Sequence, residues 1–369
     1  MRKVSGTDAD RLTWERGFRV NDSAWLSLRF AAFAMAGVLL TASFAAAVAA
    51  SRTAAPRLAA SHSITISEFN SLPYYQGFGF PEGITSGPGK ALWVTDDVDQ
   101  DFGTPSIAEI GTDGKRLAAF YYGEVASPAG FDIAAGPDGA LWFADAEAAE
   151  IKRLGSNGKF TSYRLPYTAY RLAFGADGAL WFPEFVYQGS PRIGRLTTSG
   201  QLTEYATGLP ARAGLADIVA GPDGAMWLTV SGIDRIVRIA LGTHAVSEFG
   251  MGMTPGAEPD SIALGPDGAL WFTEQHARQI GRITTSGVVT EFPVPSGAKP
   301  RDITAGPDGA LWFTEDLRAG IGRITTGGAV TEYGGVSGGS EPSCIVAGPD
   351  GNLWFTEYRS NRIGRVNLH

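Results

Sequence analysis

Seven copies of a phrase of the form GPDGALWFTE, each with one tryptophan, constrain this chain more than any other feature. The tryptophans are Trp93, Trp142, Trp181, Trp227, Trp271, Trp312 and Trp354, at spacings of 49, 39, 46, 44, 41 and 42 residues. A period of about 40 to 50 with variable insertions is the length of one four-stranded propeller blade. The fullest copy, PDSIALGPDGALWFTEQHARQIGRITTSGVVTEFPV (259–294), reads directly as strands: SIAL, then a GPDG turn, ALWFTE, RQIGRIT, a TSG turn and VVTEFPV. No stretch after residue 63 has helical periodicity of useful length, so the expected class is all-β, a seven-bladed β-propeller.

Each residue type in the phrase has a packing reason to be there. In GPDG the proline fixes φ, the aspartate bonds amides two residues on, and the final glycine takes positive φ. A phosphate-cradling loop would need a helix next, and a strand follows instead. The tryptophan sits in a strand whose faces are covered by neighbouring blades, so seven indoles at one repeat position are expected in the core. Arginines recur on the third strand (Arg153, Arg238, Arg282, Arg323, Arg365) and glutamates on the fourth (Glu204, Glu248, Glu291, Glu332), a pattern of cross-strand ion pairs.

The seventh copy supplies a third strand, RIGRVNL (362–368), and the chain stops there. The missing fourth strand is expected from ITISEFN (64–70), which matches VVTEF and AVTEY and has no blade of its own. Pairing it with the last strand closes the ring and leaves no open edge. The propeller is therefore expected over 63–369 as one domain.

Ahead of it, a polar segment with Arg2, Lys3, Arg11, Arg16, Arg19 and Arg29 precedes an apolar run at 30–50 that ends in small residues. Residues 1–50 read as a signal peptide or as an uncleaved membrane anchor, and 51–62 as a linker. Export to the periplasm or the cell exterior follows in either case, with membrane contact only through an uncleaved segment. A net charge of −8 with no long basic run argues against nucleic-acid binding. One cysteine, Cys344, excludes an internal disulfide, and four histidines make a nitrogen-rich metal site unexpected. A monomer is expected.

The start of strand one and the end of strand two open onto one face near the axis, and there the copies differ. Eleven residues before each tryptophan stand Glu82, Phe131, Tyr170, Ala216, Asp260, Arg301 and Ser343; three residues after it stand Asp96, Asp145, Glu184, Val230, Glu274, Glu315 and Glu357. Acids in such a ring either bond amides of adjacent blades or hold a hard cation, Mg²⁺ or alternatively Ca²⁺. Glu258 with Glu274, and Glu341 with Glu357, each pair an acid before strand one with an acid ending strand two, as metal ligands would. His276, in a loop on that face, is either a solvated loop residue or a general base. Arg301, Ser343, Asp260, Tyr170 and Glu82 are the expected ligand contacts.

The repeated GPDGALWFTE followed by IGRIT and G-V-TE[FY] resembles the streptogramin B (virginiamycin B) lyase family over essentially all of 63–369. The resemblance implies a seven-bladed propeller that opens a cyclic depsipeptide at its ester by elimination, with Mg²⁺ and a histidine base. By the same resemblance Glu341 and Glu357 stand at the metal-ligand positions, Ser343 at the histidine, Cys344 at the glycine beside it, and Arg301 at a substrate-contacting histidine. A serine hydroxyl is too weak a base for that proton, and an arginine stays protonated. The expected function is thus an exported propeller that binds a small-molecule or peptide ligand at an acidic mouth. The alternatives are a working magnesium-dependent carbon-oxygen lyase or a hydrolase, with His276 as substitute base, and an NHL-like protein-interaction platform.

Overall fold

The computed structural model describes residues 64–70, 72, 79–98, 105–122, 130–186, 189–316 and 319–368. The segments read as signal or anchor (1–50) and linker (51–62) lie outside the described residues. Seven antiparallel sheets succeed one another, and six are built from consecutive chain: blade 1 over 79–121, blade 2 over 130–164, blade 3 over 168–206, blade 4 over 215–249, blade 5 over 259–293 and blade 6 over 299–333. Blade 7 is composite. Its sheet runs Pro342–Ala347, Leu353–Glu357, Arg362–Asn367 and then Thr65–Phe69, in register from Thr65 opposite Asn367 to Phe69 opposite Ile363.

Glu68 shows that this ribbon is a true fourth strand. In blade 5 Glu291 accepts the Thr254 backbone N–H (2.5 Å) and hydroxyl (2.7 Å) from the loop before its own strand one. Glu332 holds Ser296 the same way in blade 6. Glu68 takes both bonds from Ser337, each 2.6 Å, so the amino-terminal ribbon makes the clasp that a local fourth strand makes elsewhere.

The indoles lie where the repeat places them: six of the seven are at most 1 % exposed. Burying about 200 Å² of indole at about 25 cal/mol/Å² is worth on the order of 5 kcal/mol each before entropy is charged. Each lies so close to the first glycine of its turn that a Cβ at Gly265 would collide with Trp271 Cδ1, whereas Gly268 is needed for its φ of +71°.

The strand-three arginines differ from expectation. Arg282 does not pair with Glu291; its Nε donates to Asp267 Oδ2 of the GPDG turn (2.7 Å), and its guanidinium lies 5.7 Å from the Trp271 ring, whose Nε1 donates to Asp267 Oδ1 (3.0 Å). The reason is the two-residue period of the strand. Arg282 stands opposite Trp271 and Thr290, while Glu291 stands opposite Gly281 on the other face. The same Asp–Trp–Arg triad recurs at Asp138–Trp142–Arg153, Asp177–Trp181–Arg195, Asp223–Trp227–Arg238 and Asp308–Trp312–Arg323. Blade 1 reads GPGK and lacks the aspartate, so Trp93 Nε1 donates to the Pro88 carbonyl instead (3.1 Å).

Candidate functional site

In six blades strand one slips register between the residues twelve and nine before the tryptophan, as at Pro259/Ile262; in blade 3 it breaks into Thr168–Ala169 and Ala173–Phe174. Two residues per blade therefore sit in a bulge next to the axis. In blades 1, 4, 5, 6 and 7 a threonine two residues past the tryptophan fixes that bulge. Thr273 accepts the Ser261 N–H (3.0 Å) and donates to the carbonyl of Arg301 in the next blade (2.9 Å). Thr314 likewise donates to the Ser343 carbonyl (2.7 Å), and Thr356 to the Glu82 carbonyl (2.9 Å). Thr229 donates in the same way to the Asp260 carbonyl, so the expected mouth residues Glu82, Asp260, Arg301 and Ser343 are anchored through their main chains, blade to blade.

Their side chains differ in use. Asp260 accepts a hydrogen bond from Gln275. The ring of Tyr170 meets Phe185 edge-on at 6.1 Å, and Phe185 is 59 % exposed. Phe80 and Tyr358 form another aromatic pair, at 5.0 Å. Arg301 is half-buried, and Ser343 is buried. The side chain of Phe131 lies outside the described residues.

The acids after the tryptophans do not ring an open mouth. Asp96, Asp145, Glu184, Glu274, Glu315 and Glu357 are all buried, in the seam between the end of strand two and the outer strands. Glu274 faces Glu291; burial first, then Glu291 and Asp234, push its carboxyl up to about 8. Burial raises Glu184 to about 7, with Glu204 adding and Arg192 opposing. Burial lifts Asp96 to about 8, against Arg116. Burial raises Glu357 to about 7, opposed by Ser360 and Arg362 and helped by Glu68. Blade 2 alone places a lysine here: Lys152 Nζ is 2.9 Å from Asp145 and 2.7 Å from Glu150.

The acid before strand one follows another path. Glu341 Oε1 lies 2.5 Å from Arg359 Nε, and in blade 5 the same two repeat positions carry Glu258 and His276, with Nδ1 3.8 Å from Oε1. The Glu341–Glu357 pair is not left free for a cation. Glu341 is taken by Arg359; Glu357 Oε2 accepts the Ser360 hydroxyl (2.7 Å), which leaves Oε1 buried without a hydrogen-bond partner. Among the described residues no three His, Cys, Asp or Glu side chains stand together as metal ligands. One orphaned oxygen beside an arginine-neutralised carboxylate does not fit a divalent cation.

The family model of the virginiamycin B lyase family matches residues 66–295 and 209–369. The chain belongs to the virginiamycin B lyase family. The virginiamycin B lyase of Saccharopolyspora erythraea is 48% identical over 89 residues, which is 24% of this chain and 29% of that relative. The match thus spans less than a third of the curated protein's length. Coverage is fuller among solved structures. Virginiamycin B lyase from Staphylococcus aureus is 32% identical with a TM-score of 0.74, covering 83% of this chain and all of that one. A catalytically inactive form of that enzyme, solved with quinupristin, matches equally well.

Sequence reasoning missed the layer of this virginiamycin B lyase-family propeller that lies one residue deeper. Ten residues before the tryptophans stand Gly83, Asp132, Arg171, Asp217, Ser261, Asp302 and Cys344. Asp132 Oδ2 accepts the Leu172 N–H (3.0 Å), Asp217 Oδ2 the Ile262 N–H (3.0 Å) and Asp302 Oδ2 the Ile345 N–H (2.7 Å), in each case from the next blade. Ser261 donates to Asp302 Oδ1 (2.6 Å), and Arg171 reaches from blade 3 to Cys344 Sγ of blade 7 (3.5 Å). Toward the GPDG turns the axis widens into a cavity of about 480 Å³ lined by small and aliphatic strand-one residues such as Ala134, Ile218, Ile262 and Ile303. The signal available in sequence was three aspartates and one arginine at a repeat position that scaffolding alone would keep apolar.

Proposed function

We propose that this protein is an exported propeller of the virginiamycin B lyase family that binds a cyclic or linear peptide-like ligand at the face carrying Glu82, Tyr170, Asp260, Arg301 and Ser343, without the elimination chemistry of the last blade. One observation carries the reading: the position of the family's base is a buried serine whose carbonyl is tied to Thr314, and the acid beside it is paired with Arg359. Neither group can take a proton from carbon near neutral pH. Arg301 supplies a fork for a carboxylate or other oxyanion, while Tyr170 with Phe185 and Phe80 with Tyr358 offer aromatic faces. The apolar run at 30–50 supports export.

Titration calorimetry with quinupristin, followed by chromatography of the mixture, tests this. Expected are a binding heat and an unchanged ligand. An isomeric ring-opened product would overturn the loss of chemistry, and no heat would overturn the ligand class.

A second reading rests on Glu258 and His276. They occupy in blade 5 the repeat positions of Glu341 and Arg359, so an exposed imidazole 3.8 Å from a carboxylate stands where blade 7 has an arginine. In that reading His276 is the base of a lyase or hydrolase acting on an ester. Ring opening that disappears in His276→Ala supports it, and opening that survives removes it.

A further inference from the structure

The layer ten residues before the tryptophans is not used by the ligand face, yet each of its members directly follows a mouth residue in the chain: Tyr170 then Arg171, Asp260 then Ser261, Arg301 then Asp302, Ser343 then Cys344. It ties blade 2 to 3, 4 to 5, 5 to 6 and 6 to 7. Arg171 reaches across the axis, from blade 3 to blade 7.

We propose that Arg171 is the built-in cation of an axial clasp: among the carboxylates of Asp132, Asp217 and Asp302 it holds the inner strands of the ring together, and so positions the mouth residues that precede each member. Its consequence for ligand rests on the mouth proposed above, but the clasp can be read without any ligand. Arg171 touches Cys344 Sγ of blade 7 (3.5 Å), Asp132 of blade 2 holds the amide next to Arg171 and Asp302 of blade 6 the amide next to Cys344, and Asp217 of blade 4 stands at the same repeat position; these are the titratable groups whose charge acts on Arg171. Three carboxylates converging on a half-buried layer repel one another unless a cation stands among them. A guanidinium is suited to this place because its donors point in several fixed directions, which an ammonium on a flexible stem does not reproduce.

The electrostatics agree with the geometry. Burial by itself would lower Arg171, but the charges of Asp217, Asp132 and Asp302 offset this and hold it well above the ordinary guanidinium range. Burial pushes Asp217 up to about 7 even with Arg171 beside it, with Asp132 and Asp302 adding to the rise. Burial pushes the Cys344 thiol up to about 12, so it stays protonated as a neutral neighbour. Each carboxylate also receives an amide of the following blade, so losing the cation should loosen those amides.

The test is Arg171→Met in the full chain, read by thermal unfolding at pH 5 and pH 8 and by amide exchange at Leu172, Ile262 and Ile345. Without the guanidinium the carboxylates hold protons to higher pH in the folded state, so stability falls more steeply as pH rises. Expected are a loss of about 5 °C or more at pH 8, a smaller loss at pH 5, and roughly tenfold faster exchange of the three amides. Arg171→Lys should fall between the two proteins. Equal losses at both pH values with the amides still protected would make Arg171 a packing residue and overturn the clasp. If Arg171→Met does not fold, Asp217→Asn gives the answer. The fall in stability between pH 5 and pH 8 should shrink and the Ile262 amide should exchange faster, and an unchanged profile would overturn the proposal.

Discussion

At the scale of single residues, the same two repeat positions carry different chemistry from blade to blade. Glu341 with Arg359 and Glu258 with His276 occupy equivalent places, so one side chain decides whether the carboxylate is paired with an arginine or stands near an imidazole. Replacing Arg359 by Ala together with Ser343 by His should therefore restore ring-opening of a streptogramin B, whereas Ser343→His alone should not; product analysis of both variants decides. Arg301→Ala should weaken binding of a carboxylate-bearing ligand about tenfold with an unchanged melting temperature, as calorimetry would show. Much of this was legible in the sequence, because Glu341, Ser343 and Glu357 sit at fixed offsets from Trp354. What was not legible is direction. Glu274 and Glu357 read equally well as cation ligands at the mouth or as acceptors for amides of adjacent blades, and only the structure places them inside their own blades, against Glu291 and Glu68.

The element scale explains the regularity of the repeat. Asp267, Trp271 and Arg282 form one unit across a turn and two strands, so the aspartate that sequence assigns to turn geometry also satisfies an indole N–H and a guanidinium. Asp267→Ala strands both donors and should cost about 1–3 kcal/mol, measurable by denaturant unfolding. The strands themselves were readable because the short apolar run of strand two, bounded by the GPDG turn, recurs from copy to copy. The bulge of strand one was not, since it inserts a residue where simple alternation assigns a single inward position. That is why Tyr170 was singled out and Arg171, its neighbour, was not.

For the whole molecule, pH acts inside the blades, where the end of strand two is buried against the outer strands. The folded-state carboxyls of Asp96, Glu184, Glu274 and Glu357 lie at about 7 to 8, above their ordinary values, so the folded protein holds protons that the unfolded chain has released. Their contribution is greatest below about pH 4 and declines as pH rises to about 8. Melting temperature should accordingly be lower at pH 8 than at pH 6, and Glu184→Gln should flatten the difference. The seven-fold ring and its composite last blade follow from the tryptophan spacing and the orphan strand at 64–70, both visible before any coordinates. That composite blade also orders events in time. The ribbon Thr65–Phe69 leaves the ribosome long before its partner Arg362–Asn367 exists, so it must wait unpaired through the synthesis of six blades. Completion of the last blade is thereby deferred until Arg362–Asn367 has been made, and a chain stalled or clipped before that strand would present both a bare sheet edge and a loose β-ribbon to its neighbours.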